Sequence, residues 1–263
     1  MSDFERMQRR AWLARAGLAL LPGWAMSPGA QAADMPPRIT PAAVPAPLQL
    51  RYRVRGTVAF LPLYADGDLF WQHSEGNYLA RLRLDAGWLG TRERISAGVI
   101  TATGLQPLRY TDRARNERDT EFDWPRAEAR LGRGGITALA PGTQDLVSLY
   151  IQLACLFATQ AMSPTLKTED GSLPLPVLGN GKAVEHWRLL VQGEETLNLP
   201  GGTLRTRKLL RLPEPPDNLG AELWLAPALN WMPARIRLRE GRSSDVDLLW
   251  SQSIAAAPAT AAS

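Results

Sequence analysis

Few folds are open to a chain that alternates strictly between apolar and polar residues, and this one does so from Leu48 to Phe60. Leu48, Leu50, Tyr52, Val54, Gly56, Val58 and Phe60 fall on one side of an extended backbone; Gln49, Arg51, Arg53, Arg55 and Thr57 fall on the other. Successive strand side chains point to opposite faces, so the pattern specifies a strand with one dry and one wet side, the mark of an antiparallel sheet. Tyr78, Ala80, Leu82 and Leu84 against Arg81, Arg83 and Asp85 repeat it, as do Ile236 and Leu238 against Arg235, Arg237 and Arg239. Weaker strand patterns cover 69–73, 93–100, 108–114, 120–124, 183–192, 203–212, 222–225 and 245–250. Turn signals such as Asp66-Gly67-Asp68, Glu75-Gly76-Asn77 and Pro200-Gly201-Gly202 separate them too closely for βαβ crossovers. The prediction is a mainly β domain, a strongly curved antiparallel half-barrel or barrel of about ten strands, since open twisted sheets of that size curl.

One segment has the other period. After Pro141-Gly142, Asp145 is placed to cap a helix over 145–158, in which Leu146, Leu149, Tyr150, Leu153, Leu156 and Phe157 recur at helical spacing. Val147, Ile151, Ala154 and Cys155 make the remaining surface apolar. A helix apolar nearly all round is buried on several sides, which places this one in the concavity of the sheet. As a cap alone, Asp145 is worth about 1 kcal/mol.

The flanks are of another character. Arg6, Arg9 and Arg10 precede an apolar run that ends at Ala30-Gln31-Ala32, the form of a signal peptide over 1–32 cleaved near Ala32-Ala33, with the periplasm as destination. Gln8-Arg9-Arg10-Ala11-Trp12-Leu13 is similar to a twin-arginine export signal, and the general secretory route fits as well. Residues 33–47 read as a Pro/Ala-rich linker, 48–254 as a single β-rich domain and 255–263 as a low-complexity disordered tail. Without residues 1–32 the formal charge falls from +4 to +2, which, with export, argues against a nucleic-acid partner. The apolar run is too short for a permanent membrane anchor, so the mature chain has no transmembrane segment. The single cysteine, Cys155, forms no intramolecular disulfide and reads as a small buried residue.

No catalytic or metal-binding pattern stands out, and nothing calls for a cofactor or metal. The two histidines, His73 and His186, have no second ligand at metal spacing. A Ser148/His186/Asp145 triad has no support in the spacing, and Asp145 and Ser148 fit a helix start better. A glycan hydrolase would need two facing carboxylates, for which Asp123 and Asp145 are the acid candidates. Two binding surfaces suggest themselves. The concave face and helix would offer Tyr52, Trp71, Tyr78, Trp124, Leu149, Tyr150, Leu153 and Trp224 to an apolar or amphiphilic ligand. The wet face would offer Arg51, Arg53, Arg81, Arg83, Arg235 and Arg237, in a stripe that also takes in Arg55, Arg92, Arg94 and Arg239, to an anionic partner, unless acids such as Glu93, Asp112, Glu117, Glu121 and Glu240 neutralise it.

Several segments carry a family resemblance. Ser96-Ala97-Gly98-Val99-Ile100, Gly104-Leu105-Gln106-Pro107-Leu108-Arg109-Tyr110, Glu121-Phe122-Asp123-Trp124 and Pro141-Gly142-Thr143-Gln144-Asp145 stand in the first half. Leu199-Pro200-Gly201-Gly202, Glu222-Leu223-Trp224-Leu225-Ala226-Pro227 and Met232-Pro233-Ala234-Arg235-Ile236 follow. Over about Leu48–Trp250 the chain resembles the exported bacterial family called domain of unknown function 3108, most specifically in Gly-Leu-x-Pro and Pro-Gly-x-Gln-Asp. The resemblance implies an envelope-associated β-rich domain whose general plan is similar to the periplasmic lipoprotein carriers; it supplies no catalytic set. The expected function is therefore non-enzymatic: binding of a lipid, lipoprotein part or glycan in the concavity. The alternative is an envelope interaction domain that presents its arginines to an anionic surface or an envelope protein.

Overall fold

The computed structural model describes residues 43–159, 171–179, 183–211, 219–241 and 243–255. The expected signal peptide lies outside the described residues, as does most of the linker and all of the tail beyond Ala255. Ala43 is buried and the Pro45 carbonyl accepts the indole N–H of Trp71 at 2.8 Å, so 43–47 pack against the sheet.

Fifteen strands form one curved sheet: β1 (Leu48–Val58), β2 (Leu61–Ser74), β3 (Asn77–Asp85), β4 (Thr91–Thr101), β5 (Gly104–Arg113), β6 (Glu117–Asp123), β7 (Glu128–Arg130), β8 (Ile136–Ala138), β9 (Gln144–Asp145), β10 (Ser172–Leu178), β11 (Val184–Leu199), β12 (Gly202–Arg211), β13 (Leu219–Leu225), β14 (Pro233–Glu240) and β15 (Ser244–Ala255). The expectation of about ten is thus corrected to fifteen among the described residues. The additional strands are β7 to β10, which are short or, like β10 with Pro174 and Pro176, lack an alternating pattern.

The order is β8-β7-β6-β5-β4-β3-β2-β1-β15-β14-β13-β12-β11-β10-β9, antiparallel throughout except for β9 against β10. This order dictates the curvature. The edge strands β8 and β9 are joined by only residues 139–143. Such a linker reaches about 20 Å, whereas the edges of a flat sheet of fifteen strands would stand roughly 65 Å apart. The sheet must roll until its two edges face each other, although it does not close.

The rolled sheet encloses helix α1 (Ser148–Ala158), which starts three residues later than the predicted 145–158 because Gln144 and Asp145 pair as β9. Every residue of α1 from Ser148 to Phe157 is buried. Around it pack Leu50, Tyr52, Val54, Leu69, Trp71, Ala80, Leu189, Leu209, Leu223, Leu225 and Ile236. Burial of each large aliphatic chain stabilises by about 1.5–3 kcal/mol.

Two parts of the predicted dry face differ. Val58 and Phe60 alternate correctly but are 45% and 75% exposed, because the β1–β2 hairpin runs past the end of the core and turns at Ala59 and Phe60, both at positive φ. Gly98 is required by packing. The β4–β5 register shifts between Ala97 and Gly98, and a Cβ at 98 would meet the Gln106 carbonyl, Pro107 Cα at 2.8 Å and the Tyr78 ring at 2.9 Å. Gly98→Ala is expected to lower stability by about 2–3 kcal/mol, read as the urea midpoint at constant m-value.

Candidate functional site

The segment from Gln144 to Gln152 crosses the inside of the sheet and latches onto β4 and β5. Leu105 holds it at both of its backbone groups: its N–H donates to Gln152 Oε1 at 2.8 Å, and its carbonyl accepts Gln144 Nε2 at 2.8 Å. Gly104, at φ +128°, leaves the space that the Gln152 carboxamide occupies. Beside this, Asp145 Oδ1 accepts the backbone N–H groups of Val147 and Ser148, both at 2.8 Å, while Ser148 Oγ accepts the Asp145 N–H at 2.9 Å. That is a reciprocal helix cap. The other carboxylate oxygen, Oδ2, accepts Ser96 Oγ–H at 2.5 Å, and Ser96 in turn bonds the Tyr78 hydroxyl at 3.0 Å. Burial raises the Asp145 carboxyl to about 6, against the opposing pull of these hydrogen bonds from Ser96, Ser148 and Val147.

Above the latch the concave wall becomes polar. The register Ser96↔Tyr110, Arg94↔Asp112 and Asp112↔Arg118 sets inward side chains of β4, β5 and β6 side by side. Arg94, Tyr110, Asp112 and Arg118 from these strands, with Arg92, Thr120, Gly132, Arg133, Leu146 and Gly179, bound a recess of about 40 Å³. Arg92 grips Asp112 in a fork at 3.1 and 2.7 Å, and Arg94 stands 3.9 Å from the same carboxylate. This pairing holds the Asp112 carboxyl below its usual range although burial opposes it, and burial raises Tyr110 strongly.

The residues predicted for the concave ligand site separate into three groups. Tyr52, Trp71, Tyr78, Leu149, Tyr150 and Leu153 come together, but as buried core. The Tyr52 hydroxyl donates to the Pro233 carbonyl at 2.7 Å, and Trp71 packs its ring 5.6 Å from Tyr78. Trp124 is half-buried after β6, stacked on Phe122 with its N–H on the Pro107 carbonyl at 2.7 Å. Trp224 belongs to the opposite face: Ala221, Leu223 and Leu225 point into the core, while Trp224 lies outside it between Arg235 at 4.4 Å and Lys208 at 5.0 Å. None of the eight lines the recess.

The six predicted arginines share the outer face with acids. Arg53 meets Asp66 at 2.8 Å, Arg81 meets Asp68 at 3.2 Å and Arg83 meets Asp85 at 2.9 Å. Arg235 and Arg237 fork onto Asp247 and Asp245, leaving Arg51 without an ion pair among the described residues. These pairs flank an open outer groove of about 450 Å³ lined by Arg55, Tyr64, Arg235, Arg237, Asp245 and Asp247. The acids that meet these arginines are Asp66, Asp68, Asp85, Asp245 and Asp247; of the acids named from the sequence only Glu93 approaches one of the six, 3.7 Å from Arg81. Asp145 and Ser148 bond each other at the helix start while His186 is exposed on β11, so the imagined triad is not brought together. Asp123 serves its own turn, accepting the Arg126 N–H at 3.2 Å.

The sequence reading missed Ser96, Tyr110, Arg118, Gln144 and Gln152 as site residues, and it set Arg92 and Arg94 on the wet outer face, whereas both line the recess. A usable signal was present: Gly104-Leu105 and Gln144-Asp145 lie in the two segments of most specific resemblance and Ser96 in a third matching segment, and these are the segments that meet. A model of the family described as "Protein of unknown function (DUF3108)" matches residues 71–242. The chain belongs to the DUF3108 family. No curated protein matches this DUF3108 chain.

Among solved structures, a β-barrel-like protein of domain of unknown function DUF1849 from Brucella abortus superposes on this DUF3108 chain with a TM-score of 0.55 at 9% identity, covering 81% of this chain and 98% of that one. The MucA/MucB complex of Pseudomonas aeruginosa gives 0.37 at 13% identity, over 84% of this chain and 55% of that one. A Vibrio parahaemolyticus domain named for outer membrane lipoprotein sorting gives 0.29 at 9% identity, over 80% and 85%. The first of these shares the fold; no further property follows at such identity. Among the described residues, no helix is long and apolar enough to cross a membrane.

Proposed function

We propose that this chain is an exported, non-enzymatic binding domain of the bacterial periplasm that holds one amphiphilic ligand at the open end of the rolled sheet, above α1. The observation that carries this reading is the division of the concave side. The lower part is filled by α1 and its neighbours, while the part above the Asp145 latch is an uncovered recess walled by arginines. An apolar ligand deep in the concavity, where the sequence placed it, would have to displace α1. A ligand with a polar head has a place without that.

The topology supplies the second half of an amphiphile's needs. In an antiparallel meander alternate turns lie at the same end, so the β1–β2 and β3–β4 turns share an end with Arg92, Arg118 and Arg133. Those turns and the start of β2 expose Phe60 by 75%, Leu61 by 65% and Trp88 by 92%. Apolar side chains presented this way mark contact sites. The charged, apolar and small-x-small pattern of residues 1–32 supports export.

Native mass spectrometry of the full protein, gently purified from the periplasm of its expression host, tests this. The expected result is a reproducible excess mass that organic solvent releases as a single class of amphiphile. Repeated preparations of bare mass, with no amphiphile bound on addition, would overturn the reading.

A further inference from the structure

The outer face and the recess treat arginine differently. Outside, most arginines meet an acid on a neighbouring strand or on their own. In the recess, Arg92, Arg94, Arg118 and Arg133 surround a single acid, Asp112. Asp112 is engaged by Arg92 and approached by Arg94, while Arg118 and Arg133 make no ion pair among the described residues. The Tyr110 hydroxyl is buried without a hydrogen-bond partner among the described residues, in a side chain only 5% exposed, and Arg94 Nε, the atom that stands 3.9 Å from Asp112, makes no hydrogen bond either. A solvated basic surface accounts for Arg92 and Arg133, which reach water. It does not account for donors sealed in the wall, since a buried donor left unmatched costs about 1–3 kcal/mol.

We propose that this recess is an oxyanion site, taking one phosphate or carboxylate group between Arg94, Arg118 and Arg133, with the Tyr110 hydroxyl donating to it. The proposal rests on concave-side binding and names the chemistry of the bound head. An oxyanion supplies several acceptor oxygens, and guanidinium forks match their geometry in a way that a lysine cluster would not. The excess positive charge also selects the sign of the ligand. Size sets the rest: about 40 Å³ admits a group of a few atoms and excludes a hydrocarbon chain, so any tail stays outside, towards the exposed turns. Gly132, with its backbone against Asp119, keeps the wall at β6 thin.

Titration calorimetry on the full chain tests the site, with inorganic phosphate, acetate and lysophosphatidic acid below its micelle concentration as probes. Saturable binding of an oxyanion is expected. It should weaken about tenfold or more in Arg118→Gln and about fivefold in Tyr110→Phe, which keeps the ring in the core. Arg53→Gln, on the outer face, should bind as the parent does. Binding should also weaken with added salt. Tighter binding of lysophosphatidic acid than of phosphate assigns the site to an amphiphile's head group; equal affinity assigns it to a free oxyanion. No binding of any probe at millimolar concentration, or binding unchanged in both recess variants, overturns the proposal. The two readings fail separately. A retained amphiphile that binds equally to both variants sinks the oxyanion site alone, while phosphate binding lost in the variants of a protein that never retains an amphiphile sinks only the amphiphile reading.

Discussion

Asp145→Ala is expected to destabilise the protein by about 4 kcal/mol, several times the effect of an exposed cap. A cap at the surface contributes about 1 kcal/mol because water replaces the lost acceptor. Here the carboxylate is fully buried and serves three donors, the N–H groups of Val147 and Ser148 and the Ser96 hydroxyl. Each donor left bare in the core costs about 1–3 kcal/mol, offset in part by no longer burying a charge. Asp145→Asn, which keeps an acceptor for the two N–H groups, should cost less. The pair of variants also has a signature in pH. The folded carboxyl titrates at about 6, against about 3.9 in an unfolded chain. A carboxyl raised on folding binds its proton more readily in the native state, so stability rises as the pH falls from above 6 to about 4. The gain is on the order of 3 kcal/mol. Arginine-paired acids held low, such as Asp112 and Asp245, lose their contributions only below about pH 4. Urea midpoints of parent and Asp145→Asn between pH 4.5 and 7 read this directly. The parent should gain stability on acidification and the variant should not; parallel curves would show that the buried carboxylate carries no such penalty.

Trp71→Ala should cost about 3–5 kcal/mol and lower Tm by roughly 10 °C. Trp71 is fully buried, its ring is flanked by His73 and Tyr78 at 5.6 Å, and its N–H is the tie to the Pro45 carbonyl. Truncation leaves a large void in a rigid sheet and an unpaired carbonyl. Residues 43–47 should then become an early site of proteolysis. This outcome separates the core role from the ligand-lining role that the sequence suggested for Trp71, because a lining tryptophan would cost binding rather than stability. A Tm drop under about 3 °C would contradict the packing described.

Much of this architecture was legible because its signals are local. The alternation in β1, β3 and β14 is a property of each strand's own residues, and the apolar helix announces itself by its different period. The strands that escaped, β7 to β10, have no pattern of their own and are held by their neighbours. Trp224 was legible in its own strand: alternation sets it beside Glu222 and opposite Ala221, Leu223 and Leu225, which makes those three the core side. Local reading ends at the recess: Arg94, Tyr110, Asp112 and Arg118 are ordinary polar residues on three strands.

The sequence by itself determined the strands of strongest alternation, the single buried helix and the turns between hairpins, because backbone preference and side-chain period act over a few residues. Tertiary structure alone decided the rest. The five-residue link between the two edge strands forces the sheet to roll, and rolling brings Ser96, Leu105 and Asp145 into contact. The register of β4, β5 and β6 then gathers the arginines around Tyr110. Proximity of that kind depends on pairing between residues distant along the chain, and no local pattern encodes it.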